Sequence, residues 1–387
     1  MRSWLRPHLL ANHYPALHGL RVLAILSIVQ LHVSMGFRKW GFPPPWYERS
    51  VSIWFGMDLF FLLSGFLIGS MLMRDPTSAR PASAARFWAR RAFRIIPPYY
   101  AVLAALTLAA SPAQRANVWH EFAYLTNYFP VRSEPIMLWA WSLCVEEHFY
   151  LAVPLVLAAV SLLRSPARRM SALVALWGSG VALRVAFVAS RSGWTLDSLL
   201  REVYGRTHLR YDILVAGVIL AELQHHHGDR VRAALARPRV RAAAWALIGA
   251  CFALLLWPPQ VIPEPLRWSL WWGVLTAAMY GPLVLLLVNR ESSLTRFLGA
   301  RAFIVLATFG YGVYLVHIPV GDHVVVPAVL LAGIAALRAG VLLPAWLVWG
   351  VALALTWAVS VAIAYALHLA IERPALALRD RMVPTRS

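Results

Sequence analysis

The sequence predicts an all-α protein, a polytopic integral membrane helical bundle of about ten transmembrane helices. Three observations carry that reading. Of the 387 residues, 60% are hydrophobic and mean hydropathy is +0.62. Only 14% are charged, against about a quarter in soluble domains. The apolar residues fall in long runs, and about twenty in succession cross the hydrocarbon core of a bilayer.

Taken in order, the apolar runs place candidate spans at residues 17–36, 51–73, 95–110, 142–163, 171–189, 209–223, 242–257, 268–288, 302–320 and 341–371. The first, "LHGLRVLAILSIVQLHV", is apolar except for Arg21 and His32 and their polar neighbours. The second carries "FGMDLFFLLSGFLIG", the third follows "FWARRAFR", and the fourth opens on "WSLCVEEHFY" with Ser142 as its expected cap and acids in its first turn. The stretch 324–337 is apolar but short, and Pro319 and Pro327 interrupt the approach to it. It is expected to be an interfacial or re-entrant piece. No internal repeat, linker or low-complexity tail stands out. The expected organisation is a single membrane domain over residues 1–387, with no appended soluble domain.

The formal net charge is +19, almost all of it from arginine, and Lys39 is the only lysine. The arginines gather in short loops between apolar runs. That is the pattern of the positive-inside rule, not of a nucleic-acid surface. An even number of crossings puts both termini on one side, together with the loops 74–94, 164–169, 230–241 and 290–301. This side is therefore expected to be the cytoplasm, in a bacterial inner membrane. Opposite loops such as "FPPPWYERS" and "WPPQVIPEPLRW" are rich in proline and in the tryptophans of an aromatic belt. No small-residue cleavage site follows the first run, so no signal peptide is expected. Cys144 and Cys251, far apart in apolar stretches, fit neither a disulfide framework nor a metal site.

Ionisable residues inside spans are costly and by default mark function. Arg21 and His32 are eleven residues apart. At 3.6 residues per turn they share one face of a helix, about 16 Å apart along its axis. Arg91 and Arg94, three apart, also share a face. Their forked guanidiniums suit the phosphates of a nucleotide or coenzyme tail. Among the consecutive Glu146, Glu147 and His148, Glu146 shares a face with Tyr150. A carboxylate there could orient an imidazole or take a proton in acyl transfer. Asp58 and Ser64 lie in the second span. Tyr311, Tyr314 and His317 cluster in the ninth. Arg184, deep in the fifth, calls for an acidic partner, with Asp58 and Glu146 as the candidates.

This ordered set resembles membrane-bound acyltransferase family 3, the integral membrane O-acyltransferases. The resemblance rests on Arg21 and His32, on "LFFLLSGFLI", and on Arg91 and Arg94 followed by "IIPPYY". It also rests on "WSLCVEEHFYL", "GYGVYLVHIP" and the closing "IERP" with Glu372 and Pro374. One departure is "LHGLRV", with His18 and Val22 where the family commonly reads "LDGLRG". The resemblance implies transfer of an acyl group, most often acetyl from acetyl-CoA, to a hydroxyl of a carbohydrate or glycoside acceptor such as a cell-surface glycan or a macrolide. Acyl-CoA is then a co-substrate, with no permanently bound cofactor and no metal. The resemblance makes Arg21, His32, Arg91 and Arg94 the family's functional residues. With the other polar groups of the spans, the expected roles are catalytic for His32, Arg21 and Glu146, donor-binding for Arg91 and Arg94, and substrate-binding for Asp58, Ser64, Tyr311, Tyr314 and His317. Some members carry an extra esterase-like domain, which this sequence is not expected to have. The rival reading is a proton-coupled or lipid-linked transporter using the same intramembrane residues.

Overall fold

A computed structural model describes residues 14–47, 55–74, 81–129, 135–257 and 264–383. The start of the predicted second span, residues 75–80 of the loop 74–94 and parts of the two proline-rich loops lie outside the described residues. Every regular element within them is a helix. Ten of these helices are long: α1 (Ala16–Lys39), α2 (Gly56–Arg74), α3 (Pro81–Ala109), α4 (Trp141–Ser161), α5 (Pro166–Ala189), α6 (Tyr211–Ala236), α7 (Pro238–Leu256), α8 (Glu264–Asn289), α9 (Arg301–Arg338) and α10 (Ala345–Met382). All but α6 are apolar and long enough to cross a membrane. The apolar first half of α6 runs on into a polar end carrying Glu222, His225, His226 and His227. The protein is a multi-pass helical membrane protein.

Two helices outrun their apolar runs for a simple reason. The segment before residue 95 is charged, but alanine and arginine are good helix formers. Helix α3 therefore starts at Pro81 and carries Arg86, Arg90, Arg91 and Arg94 on its first turns. The stretch 324–337 is not a separate re-entrant piece. It continues α9 through a π-helical turn at Gly321–Val325, which absorbs the break in hydrogen bonding near Pro319 and Pro327.

The chain divides into two units. The first comprises Met1–Met57 and Phe297–Ala377. In it α1, α9 and most of α10 pack together through small residues. A Cβ on Gly19 would come within 2.6–2.7 Å of the Leu298 backbone, and one on Gly312 within 2.8–3.1 Å of Ala364. Such sites let helix backbones approach closely where lipid offers no hydrophobic drive. Polar contacts fix the register. Trp349 donates to the Ser34 hydroxyl at 3.0 Å, and Trp40 donates to the Asp322 carbonyl at 3.2 Å.

The second unit comprises Asp58–Arg296 and Leu378–Ser387. Helices α2 and α6 cross at Gly65 and Gly217, where a Cβ on either would strike the other helix's backbone. Beside this crossing, Arg184 of α5 is fully buried. It forks onto both oxygens of Asp212 at 2.8 Å and donates to the Leu209 and Ser269 carbonyls at 2.7 and 2.6 Å. Its partner is therefore neither Asp58 nor Glu146. Asp58 instead pairs with the buried Arg210, whose guanidinium lies 4.4 Å from the Tyr204 ring centroid. A second π-turn, Trp271–Leu275, contains Gly273 at φ 109°. A side chain there would run into the carboxylate of Asp212, so only glycine fits.

Between α3 and α4 the chain makes short helices at Pro112–Asn117 and Trp119–Phe122. A capping box of Ser111 and Gln114 starts the first. The tyrosines of "IIPPYY" hold the second, Tyr99 donating to the Glu121 carbonyl and Tyr100 to that of Phe122. The Glu121 carboxylate accepts from the backbone amides of Ile136 and Met137, both at 2.7 Å. Burial pushes Glu121 above the usual carboxylate range, and the two amides pull it partly back. Ser142 does not cap α4. That helix begins a residue earlier, and the serine hydroxyl donates to the Trp139 carbonyl.

Candidate active site

In the first unit, α1 and α9 bring two histidines together. His32 Nδ1 lies 2.9 Å from His317 Nε2, and the rings are tilted by 50° with centroids 4.9 Å apart. His317 is buried, and its Nδ1 lies 2.7 Å from the Tyr314 carbonyl one turn earlier. The Tyr314 ring packs 5.4 Å from that of His317. Gly310 permits the approach, since a Cβ there would meet Ile25 of α1 at 2.5 Å. Two imidazoles facing each other at this distance share one proton between them, which makes the pair a hydrogen-bonded unit. Arg21 lies on α1 three turns before His32 and is half-buried, as is Tyr311 on α9. His18 is half-buried in the first turn of α1.

In the second unit, α3 and α4 build a different cluster. The Arg91 guanidinium sits over the Tyr150 ring, 4.3 Å from its centroid. The Tyr150 hydroxyl donates to Glu146 Oε1 at 3.1 Å, and Ser64 of α2 donates to the same oxygen at 2.5 Å. Trp88 donates to the Tyr150 carbonyl at 3.0 Å, one turn before Arg91 on α3. Ser64, Glu146 and Tyr150 are all buried. Arg94 is half-buried on the same helix as Arg91. His148 points elsewhere, with Nδ1 2.8 Å from the Thr207 hydroxyl. Successive residues of a helix face different ways, which is why Glu146 and His148 serve separate networks.

The residues singled out in the sequence thus fall into two groups. His32, Tyr314 and His317 meet in one, with Arg21 and Tyr311 on the same two helices. Ser64, Glu146 and Arg91 meet in the other. Asp58 joins neither, because its ion pair with Arg210 is enclosed in the protein interior. Asp58 therefore stands apart from both groups, paired with Arg210. The importance of Arg210 and Asp212 escapes a reading of hydropathy, although both stand as charges at the start of an apolar run. Tyr150 was legible only as a neighbour of Glu146 on its helix. The cation–π contact with Arg91 depends on how α3 and α4 pack. Among the described residues no group of three or more histidines, cysteines or acids could hold a metal ion.

The fold is that of a multi-pass helical membrane protein holding a histidine pair in one unit and an arginine–tyrosine–glutamate cluster in the other. The family model for acyltransferase family 3, described as an acyltransferase domain, matches residues 14–365, and the chain belongs to that family. The chain is 24% identical over 333 residues to "Peptidoglycan O-acetyltransferase OatA" of Listeria monocytogenes, covering 80% of this chain and 49% of that protein. It is 27% identical over 228 residues to a Staphylococcus aureus protein named "Putative O-acetyltransferase", covering 55% of this chain and 35% of that protein. The chain therefore spans between a third and a half of the length of these curated relatives. No solved structure matches it.

Proposed function

We propose that this protein is an O-acyltransferase that moves an acetyl group from acetyl-CoA to a hydroxyl of a carbohydrate acceptor in the bacterial cell envelope. The observation that carries the reading is the contact of a half-buried His32 with a buried His317 between two apolar helices of an acyltransferase-family chain. An imidazole held by a second ring has the build of a general base. In the reaction, His32 takes the proton of the acceptor hydroxyl as its oxygen attacks the thioester carbonyl. The carbon–sulfur bond then breaks, and the departing CoA sulfur takes the proton back from the imidazolium. Arg91 and Arg94 bind donor phosphates, the first with its guanidinium braced on Tyr150. Glu146, anchored by Ser64 and Tyr150, supplies the negative charge that keeps Arg91 and its surroundings in balance. Arg21 offers a cation on the His32 helix for the acyl carbonyl or the donor. Tyr311 and Tyr314 border the histidines as acceptor contacts. The names of two relatives point to peptidoglycan as the first acceptor to try. A glycoside such as a macrolide is the second. An inner-membrane location with both termini cytoplasmic is part of this reading, since it brings the arginine end of α3 to the side where acetyl-CoA is made.

Purified protein in nanodiscs, given radiolabelled acetyl-CoA and envelope glycan, should yield labelled glycan and free CoA. His32→Ala should lower turnover by about 10²- to 10⁴-fold while the protein still inserts. Flux of a glycan carrier across the membrane without consumption of acetyl-CoA would instead establish a transporter.

A further inference from the structure

We propose that His317 is a positioning residue that sets the tautomer of His32, leaving Nε2 of His32 as the nitrogen that accepts the proton. This rests on the reading of His32 as general base. The argument runs along a chain of hydrogen bonds. The Tyr314 carbonyl can only accept, so His317 Nδ1, 2.7 Å away, carries a hydrogen. A neutral imidazole has one ring hydrogen, which makes His317 Nε2 an acceptor. His32 Nδ1 lies 2.9 Å from that nitrogen and must therefore donate to it.

The lone pair is then on Nε2. When Nε2 takes a proton, the Nδ1–H bond to His317 stays in place and the new positive charge spreads toward a buried partner. No proton has to move between the rings. His317 thereby orients the base and fixes its chemistry without touching either substrate.

Two substitutions separate this role from simple packing. His317→Gln keeps both functions, with an amide N–H for the Tyr314 carbonyl and an amide oxygen to accept from His32. His317→Leu fills the space and keeps neither. In full-length protein in nanodiscs, the glutamine variant should hold turnover within about tenfold of wild type. The leucine variant should lose about 10²-fold or more in kcat, with the KM for acetyl-CoA little changed. Solid-state spectra of ¹⁵N-histidine protein, with His32 assigned by difference against His32→Gln, should show a single Nδ1–H tautomer in wild type and in His317→Gln. His317→Leu should show a mixture. Wild-type kcat in a folded His317→Leu variant, or an Nε2–H form of His32 in wild type, overturns the proposal. Should the leucine variant fail to insert, the wild-type spectrum decides alone. Full turnover in His32→Ala would instead sink the general-base reading itself. Loss in His32→Ala with none in His317→Leu removes only the role given to His317.

Discussion

Arg91 lies over the face of the Tyr150 ring, 4.3 Å from its centroid, while the hydroxyl of that tyrosine donates to Glu146. One side chain thus braces a cation and tethers an anion. A cation–π contact contributes about 0.5–2 kcal/mol. Replacing Tyr150 with leucine should raise the KM for acetyl-CoA by roughly 2- to 30-fold. Tyr150→Phe keeps the ring and should change it by less. Steady-state kinetics on the two variants checks the order. Equal effects would mean that the hydroxyl, not the ring, holds Arg91.

The enclosed pair of Arg184 and Asp212 predicts a strong asymmetry. Removing one partner strands a buried charge and costs about 3–5 kcal/mol. Arg184→Met should therefore lower the melting temperature in detergent sharply. The double replacement Arg184→Met with Asp212→Leu should recover much of the loss, because no charge is left behind. A double variant as unstable as the single one would show that the carbonyl bonds to Leu209 and Ser269 are what matter.

Gly273 predicts a backbone effect at the same place. It has φ 109°, and an added Cβ would crowd the Asp212 carboxylate and the Arg184 guanidinium. Gly273→Ala should lose at least about 2 kcal/mol from backbone strain and the broken ion pair. Gly178, with open space around it on α5, is the control. Gly178→Ala should be neutral or stabilising by up to about 1 kcal/mol. Both are read from thermal melts.

Glu121 predicts a pH dependence. Its carboxyl is held above the ordinary range by burial. A raised carboxyl favours the folded state most when protonated, so its contribution is fully present below the ordinary carboxylate range. It is lost as pH rises through the raised value. The stability advantage of wild type over Glu121→Gln should therefore be largest in acid and shrink as pH rises. Melting curves of the two proteins between pH 4 and pH 8 test this, in about half-unit steps. An advantage that grows with pH would show that the Ile136 and Met137 amides outweigh burial.

The helical membrane class was legible from apolar run length alone, and the ten runs correspond to the ten long helices among the described residues. The pairing of residues on one helix was legible too, as with Glu146 and Tyr150, because the 3.6-residue period is local. What one sequence could not reveal was which helix meets which. Arg184 visibly needed an acid, but Asp212 was chosen by the packing of α5 against α6. His32 and His317 stood out singly, yet their contact depends on Gly310 letting α9 close on α1. Hydropathy also cuts helices short at charged ends. It missed the first turns of α3, where the arginines stand, and the continuity of α9 past two prolines.

The π-turn in α9 sets the phase of everything beyond it. A π-turn holds one residue more than an α-turn, and each residue advances a helix by about 100°. Val326–Arg338 is therefore rotated by about that angle from where an unbroken α-helix would have carried it. The His317 face and the face of the last turns of α9 are offset by a fixed angle. Losing one residue between Gly321 and Val325 would leave the histidine pair in register with α1 and swing the rest of the helix a quarter-turn or more. Asp322, 3.7 Å from Lys39, sits within that turn. The extra residue works as a gear that lets one continuous rod present two independently aimed surfaces.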